Sequence, residues 1–366
     1  MIKPLTSLRL IFALMVFSHH LLFFRDSSDP TLSGLYQSYF SEGFIGVSFF
    51  FILSGFVLSL AYTERFKDQT ITTKEYLIAR FARIYPLHFL TFLLAIPRVL
   101  SRQNGHVNAK FFGTMGLNVS LLQSYLPFSG SYLSFNSVSW SISAEFFFYA
   151  MFPLLLIAIY KAKSKIALWA PLFLIPVLIF LTPEQWHKDI FYINPIIRIS
   201  DFFIGMMLYR LYVGGVLKPT GNRSATILEI SAIALLGVFF AFKNSVPEGY
   251  RYCVYYWIPM ALIVLVFSYQ QGAISRLLSN RVLVLGGEIS FAFYMCHVLF
   301  IYYGPSVNSF LHLSLSDYVL APVMLAVSLG ASYVLFKYFE MPMNKWIKKK
   351  FAESAPKKVK VSVSAV

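Results

Sequence analysis

A small set of ionisable residues lies inside long apolar stretches of this 366-residue chain. An ionised group at the depth of a lipid bilayer costs several kcal/mol unless it is paired or faces a wet cavity, so such residues are candidates for function. The set comprises Arg9, His19, His20, Glu145, Arg198, Asp201 and His297.

Arg9 and His20 are eleven residues apart. At about 100° and 1.5 Å per residue, they share one face of a helix and lie about 16.5 Å apart along its axis. His19 points to a different face and is the better candidate for a structural role. A purely structural alternative is that the Arg9 side chain snorkels to the membrane surface and the two histidines cap the end of the helix.

Glu145 lies in the segment SVSWSISAEFFFY, near the start of an apolar stretch. A carboxylate there needs a buried Arg or His partner, or must stay protonated. Arg198 and Asp201 stand at i and i+3 and could satisfy one another. His297, in GGEISFAFYMCH, could serve simply as a neutral imidazole hydrogen-bonded to a neighbouring helix.

Arg80 and Arg83 belong to the segment YLIARFARIYP, which we interpret as a short helical segment before Pro86 opens the next span. At this spacing the two guanidinium groups point the same way and could bind phosphate oxygens as a fork. A basic anchor at the cytoplasmic membrane surface would look similar.

The elements that position these residues are predicted to be transmembrane helices. Hydrophobic residues make up 57% of the chain and charged residues 13%, which is too little polar surface for a soluble globule. The apolar residues form stretches of the length that an α-helix needs to cross a bilayer. We predict an all-α bundle of about ten spans, near residues 5–24, 43–62, 84–100, 138–160, 166–182, 192–213, 226–243, 252–269, 283–303 and 318–337.

The distribution of positive charge predicts the orientation of the bundle. The net charge of +15 comes from Lys and Arg in short loops and at the carboxyl end, which is typical of cytoplasmic loops and not of a nucleic-acid-binding face. This places both termini in the cytoplasm. The segment 111–126 is interrupted by polar residues, so we interpret it as interfacial or re-entrant. Residues 341–366 are predicted to form a basic, partly disordered cytoplasmic tail attracted to anionic lipid headgroups.

Several motifs in order along the chain resemble those of the membrane-bound acyltransferase family 3, whose members O-acetylate sugars. The match includes the Arg followed eleven residues later by a His, with His20 as the counterpart. Ser48 stands where many members have Asp, and Phe146 with Phe147 replaces a common Glu-Gln pair. The motifs are LRLIFALMVFSHH, GFIGVSFFFILSGFVL, ARFARIYP, SWSISAEFFFYAMFP, RISDFFIGM, GEISFAFYMCH and YFEMP.

The resemblance implies a transmembrane acyltransferase domain over residues 1–340 that moves an acyl group, usually acetyl from acetyl-CoA, to a hydroxyl of a carbohydrate or glycolipid. Arg9, Arg80 and Arg83 would then hold the phosphates of acetyl-CoA. His20 would act as a general base or as an acyl carrier, and Glu145 would orient its imidazolium. The residues expected to line the acceptor side are Trp140, Ser141, Tyr149 and His297.

The resemblance also implies a multi-pass protein of the bacterial inner membrane. The acceptor sugar, the choice between acetyl and succinyl, and the oligomeric state stay open. A transporter or flippase of a sugar-lipid is the alternative function, although the inverted repeats usual for transporters are not visible. We expect no metal, because the histidines do not show the spacing of metal ligands.

Overall fold

The computed structural model describes residues 2–103, 105, 107–162 and 168–352, and within these residues it is helical with no strand. The predicted all-α class is therefore confirmed. The helices of the first half are α1 (Lys3–His19), α2 (Leu22–Arg25), α3 (Pro30–Ser38), α4 (Gly46–Lys67), α5 (Thr73–Arg102), α6 (Ala109–Val119), α7 (Ser129–Tyr132) and α8 (Trp140–Lys161). Those of the second half are α9 (Ala170–Leu181), α10 (Pro195–Val213), α11 (Asn222–Ala241), α12 (Glu248–Arg251), α13 (Trp257–Ser268), α14 (Ala273–Leu278), α15 (Arg281–Glu288), α16 (Ser290–Phe310), α17 (Asp317–Leu335) and α18 (Met341–Ala352).

Each of the ten predicted spans overlaps a helix, but not every helix is long enough to cross a bilayer. Among the described residues, five helical stretches are long and apolar enough, and up to seven if each bent pair forms one span. The bent pairs are the segment Glu184–Ile193 with α10, bent by 49°, and α15 with α16, bent by 65°. The first segment ends in a π-helical turn, Lys188–Ile193. The count of ten and the cytoplasmic position of the termini therefore stay predictions.

The residues before Pro86 form part of a long helix, which differs from the sequence prediction. Helix α5 begins at a capping box, in which Thr72 and Glu75 satisfy each other's backbone N–H groups, and it continues through Pro86 and Pro97. A proline inside a membrane helix is tolerated because neighbouring groups can satisfy the freed carbonyl. Arg80 and Arg83 thus lie within a continuous helix and not on a separate short segment.

The segment predicted as interfacial or re-entrant contains α6, which has 11 residues and is too short to cross a bilayer. Its end turns back toward α8, where Ser124 Oγ lies 2.6 Å from Ser143 Oγ. The interfacial or re-entrant position of residues 111–126 stays a prediction.

The described part of the predicted basic tail is helical. Helix α17 continues through a π-helical turn, Phe336–Glu340, into α18, which packs against α5 and buries Ile347. Residues 353–366 of the tail lie outside the described residues. The division at residue 340 falls inside this helical stretch and stays a prediction.

A close helix crossing joins α4 to α10. A Cβ atom at Gly55 would overlap the carbonyl oxygen of Phe202, and a Cβ atom at Gly205 would overlap that of Ile52. Glycine at both positions therefore lets the two backbones touch, as small residues do in membrane helix pairs. This crossing fixes α4, which supplies one wall of both cavities described below.

We predict that Gly55→Leu prevents the α4–α10 crossing. The added side chain has to displace the backbone of α10, so the loss of stability should exceed the roughly 1–3 kcal/mol typical of overpacking. Gly237→Leu is the matched control, because a Cβ atom at Gly237 on α11 meets nothing within 4 Å. Thermal stability of the purified protein in detergent measures the effect, and similar melting temperatures for the two variants would contradict the prediction.

Candidate active site

A cavity of about 190 Å³ lies between α1, α4, α5, α8 and the junction of α15 with α16. We call it the arginine cavity, because three guanidinium groups reach it. Its polar lining residues are Arg9, Ser54, Arg80, Arg83, Ser141, Glu145, Tyr149, Ser290 and Tyr294. The structure therefore brings together the three arginines that the sequence analysis assigned to phosphate binding.

The three arginines differ in their partners. Arg83 forms an ion pair with Glu340, whose side chain is only 2% exposed. Arg80 donates a 2.8 Å hydrogen bond to the hydroxyl of Tyr62, and its Nε is buried without a hydrogen-bond partner among the described residues. Arg9 makes no hydrogen bond or ion pair with another described residue. The cavity thus holds cationic groups that the protein does not fully neutralise.

Glu145 faces the same cavity and is held by two hydroxyl groups. Tyr149 donates a hydrogen bond of 2.5 Å to Glu145 Oε1, and Ser54 donates one of 3.0 Å to the same atom. Glu145 is also close enough to Arg9 for the two charges to interact. Its partners are therefore the arginine cluster and two hydroxyl groups.

A second cavity, of about 130 Å³, surrounds the carboxyl end of α1. We call it the histidine cavity. Its lining residues are Val16, His19, His20, Phe44, Val47, Leu133, Ser137, Val138, Trp140, Lys188, Tyr192, Ile193, Glu248, Tyr252 and Tyr294. It adjoins a wider space of about 470 Å³, which shares Lys188, Glu248 and Tyr252 with it.

The hydrogen bonds of His20 indicate where its proton lies. His20 Nδ1 is 2.8 Å from the carbonyl oxygen of Val16 and 3.3 Å from His297 Nε2. A carbonyl can only accept, so Nδ1 carries the hydrogen in the neutral ring and Nε2 keeps its lone pair. The same argument applies to His297, whose Nδ1 lies 2.8 Å from the carbonyl oxygen of Tyr294. His297 Nε2 is then free to accept from His20.

His19 has different partners from His20. Its Nδ1 lies 2.9 Å from the carbonyl oxygen of Ser41, and its ring packs edge-on against Phe44, with ring centroids 5.8 Å apart. These contacts tie the end of α1 to the turn before α4. They fit the structural role that the helical geometry favours for His19.

The expected contact between Glu145 and His20 is not formed. Glu145 lines the arginine cavity and His20 lines the histidine cavity. The residue of α8 that lines the histidine cavity is Trp140, and it lies more than one helical turn before Glu145. The residue that contacts His20 is His297. It is fully buried behind the His20 ring, so His297 lies behind a catalytic candidate and not on the open acceptor side.

Of the four residues expected on the acceptor side, three are divided between the two cavities, and His297 lines neither. Trp140 lines the histidine cavity, and its ring centroid lies 4.7 Å from that of Tyr192. Ser141 and Tyr149 line the arginine cavity instead. Helix α8 therefore contributes to both cavities, and the neighbouring residues Trp140 and Ser141 line different ones.

Arg198 and Asp201 form the ion pair that their spacing allows. Arg198 Nη2 lies 2.7 Å from Asp201 Oδ2, and neither side chain is exposed. Arg198 also donates to Ser48 Oγ at 2.9 Å, and Asp201 accepts from Trp257 Nε1 at 2.5 Å. Neither residue lines either of the two cavities, so the pair joins α4, α10 and α13.

Sequence reasoning gave no role to two residues that complete the site. Glu340 is the acid of the YFEMP motif, and its distance of 257 residues from Arg83 hid their pairing. Tyr294 lines both cavities, and it lies three residues before His297 in a motif that was read only for its histidine. The sequence signal that could have indicated a role for Glu340 is its charge at the end of an apolar stretch.

Comparison with known proteins identifies relatives across nearly the whole chain. A family model described as an acyltransferase domain matches residues 4–337. The acyltransferase MdmB of Streptomyces mycarofaciens is 30% identical over 324 residues, which cover 83% of this chain and 80% of the relative.

More distant relatives are named as O-acetyltransferases. The peptidoglycan O-acetyltransferase OatA of Listeria monocytogenes is 23% identical over 94% of this chain, and the O-acetyltransferase OatA of Staphylococcus aureus is 24% identical over 88%. The matched region spans 56% of the length of each OatA protein. No solved structure matches the chain.

We predict that Asp201→Ala is strongly destabilising, because it leaves the buried Arg198 without its counter-charge. Breaking a buried ion pair on one side costs on the order of 3–5 kcal/mol. The double variant Arg198→Met with Asp201→Leu removes both charges and should recover much of this loss. Thermal unfolding in detergent compares the two variants, and a double variant less stable than Asp201→Ala would refute this account of the pair.

Proposed function

Because this chain belongs to the membrane-bound acyltransferase family 3 and is an enzyme that transfers acyl groups to hydroxyl groups, we propose that it transfers acetyl from acetyl-CoA to a carbohydrate or glycolipid. The observation that carries the proposal is the pair of adjoining cavities. One holds three arginines and the other holds His20, and Val47 and Tyr294 line both.

The arginine cavity suits the phosphates of an acyl-CoA donor. Three guanidinium groups meet only two carboxylates, those of Glu145 and Glu340, and the buried Nε of Arg80 lacks a partner among the described residues. A guanidinium group binds phosphate oxygens in a bidentate fork. Arg9 and Arg80 would hold the phosphates, and Arg83 could join them by leaving Glu340.

The free Nε2 of His20 supports two routes for the transfer. As a general base, Nε2 takes the proton of the sugar hydroxyl while the oxygen of that hydroxyl bonds to the acyl carbon. The carbon–sulfur bond then breaks, and the CoA thiolate receives the proton. As a carrier, Nε2 attacks the acyl carbon, and the carbon–sulfur bond breaks to release the CoA thiolate. The sugar oxygen then bonds to the acyl carbon and displaces Nε2, which takes up the hydroxyl proton and passes it to the thiolate. His297 holds the His20 tautomer in both routes, so it is a positioning residue.

The histidine cavity and the wider space beside it suit a carbohydrate acceptor. Trp140, Tyr192 and Tyr252 offer aromatic rings, and Lys188 and Glu248 offer polar groups at the opening. Sugar rings pack their C–H faces on aromatic rings and use their hydroxyls for hydrogen bonds, so this lining fits a sugar better than an apolar acceptor. The relative from Listeria monocytogenes is named a peptidoglycan O-acetyltransferase. That name supports a carbohydrate polymer as the acceptor.

The distribution of charge supports a cytoplasmic donor side. Arg80 and Arg83 lie near the beginning of α5 and close to Lys348 of the basic helix α18. The positive-inside rule places this end in the cytoplasm, where acyl-CoA is available. Both termini would then be cytoplasmic in the inner membrane of a bacterium, and His20 would lie toward the opposite face.

We predict that His20→Ala abolishes acyl transfer and that His19→Ala retains most of it. Loss of a general base or nucleophile should lower the rate by at least about 100-fold. Transfer of labelled acetyl from acetyl-CoA to the glycans of membranes from a deletion strain carrying each variant measures the effect at matched protein levels. Near-normal activity of His20→Ala would remove His20 from the mechanism.

We predict that Arg80→Ala weakens the binding of the acyl-CoA donor more than that of the acceptor. Loss of a charge-assisted hydrogen bond should raise the KM for acetyl-CoA by roughly tenfold or more, with a smaller effect on the acceptor KM. Arg80 gives a cleaner test than Arg83, because Arg83→Ala would leave Glu340 buried without its partner.

The control for this measurement is Arg102→Ala, which removes an exposed arginine at the far end of the same helix. It should leave the KM for acetyl-CoA unchanged. A larger change in the acceptor KM than in the donor KM on Arg80→Ala would exclude the phosphate-binding role.

A further inference from the structure

We propose that Val47 and Tyr294 form a gate that limits the transferred acyl group to a short chain. This inference rests on the proposed function, since it concerns the passage between the donor and the catalytic histidine. It names the substrate class that the cavities accept, namely acetyl and its close homologues.

The position of the two residues carries the argument. Of the residues that line the arginine cavity, Val47 on α4 and Tyr294 on α16 are the ones that also line the histidine cavity. Their exposed fractions are 2% and 7%, so they separate two spaces without facing solvent themselves. An acyl group that leaves CoA in the first cavity and reaches His20 in the second has to pass between them.

The Tyr294 side of the gate is held in place by its hydroxyl and its ring. The hydroxyl lies 2.7 Å from Ser141 Oγ and donates a longer hydrogen bond of 3.3 Å to the carbonyl oxygen of Val138. The ring packs against Phe50 and His297, with centroids 6.0 Å and 5.9 Å away. Rotation of Tyr294 would break these hydrogen bonds and disturb the partner of His20.

The Val47 side is rigid for a different reason. A valine in a helix has one strongly preferred χ1 rotamer, because both methyl groups branch at Cβ. Val47 lies in the first turn of α4, which is fixed against α10 by the glycine crossing. Widening the passage at Val47 therefore needs movement of the backbone.

A narrow passage made of fixed side chains discriminates by chain length. The histidine cavity, about 130 Å³ in volume, must also admit the attacking hydroxyl, which leaves little room for methylene groups beyond the acyl carbon. Each methylene that does not fit a hydrophobic site changes the specificity constant by roughly 10- to 200-fold. The gate should therefore favour acetyl strongly over longer acyl groups.

The test measures donor chain length in membranes of the deletion strain, which supply the native acceptor. Acetyl-, butyryl- and hexanoyl-CoA are compared as donors, and the acylated glycan is quantified by mass spectrometry. For Val47→Ala we expect the ratio of hexanoyl to acetyl transfer to rise by at least about tenfold. For Tyr294→Phe, which releases the ring from Ser141, we expect a smaller rise in the same ratio.

Two further variants complete the design. Val47→Ile adds one methylene to the passage and should lower butyryl transfer more than acetyl transfer. Val264→Ala removes the same two methyl groups as Val47→Ala from a fully buried position on α13 that lines neither cavity. It should leave the chain-length ratio unchanged, which separates a gate effect from general loosening of the bundle.

The outcomes distinguish this inference from the proposed function. If the unaltered protein transfers acetyl but Val47→Ala and Tyr294→Phe keep its chain-length ratio, the gate is refuted and the proposed function stands. A rise in only one of the two variants would overturn the joint gate. If the unaltered protein transfers no acyl group from any donor above the deletion background, the proposed function fails, and the gate with it.

Discussion

An ionised side chain in the interior of a membrane bundle must have a counter-charge, and this constraint organises the structure. Three buried or half-buried arginines obey it, since Arg198 pairs with Asp201, Arg83 with Glu340 and Arg251 with Glu42. Each pair joins segments that are far apart in the sequence or fixes a helix to its neighbours. Arg9 and Arg80 form no ion pair with another described residue, although Glu145 lies near Arg9. This incomplete neutralisation is the reason for proposing that the arginine cavity binds an anionic donor.

The same constraint is met around Arg198. The hydroxyl of Ser48 accepts a hydrogen bond from Arg198. An Asp at this position would place a second carboxylate on a guanidinium group that Asp201 already neutralises. With serine, one buried cation meets one buried anion, and Nη2 of Arg198 also donates to a neutral oxygen.

The sequence predicts the helical class and the residues of the two cavities better than it predicts their grouping. Apolar length finds a helix in each of the ten segments, since it depends only on local composition. It cannot decide how many of them span, because bends such as that between α15 and α16 depend on packing. The helical spacing predicts that Arg9 and His20 lie apart along α1, and they line different cavities. The expected contact of Glu145 with His20, in contrast, needed the register of α8 against α1. That register is set by contacts between distant segments, and no local pattern encodes it.

The placement of Glu145 changes which residue supports His20. In a hydrolase triad a carboxylate holds the base and stabilises its positive charge, but here Glu145 lies with the arginines and the neighbour of His20 is a second imidazole. A neutral imidazole accepts a hydrogen bond as a carboxylate does, yet it adds no negative charge to a buried site. It therefore fixes the tautomer without raising the basicity of His20 as a carboxylate would. For the proposed transfer, this arrangement leaves Nε2 of a neutral His20 ring as the atom that meets the sugar hydroxyl or the acyl carbon, because Nδ1 is held by the carbonyl oxygen of Val16 and by His297.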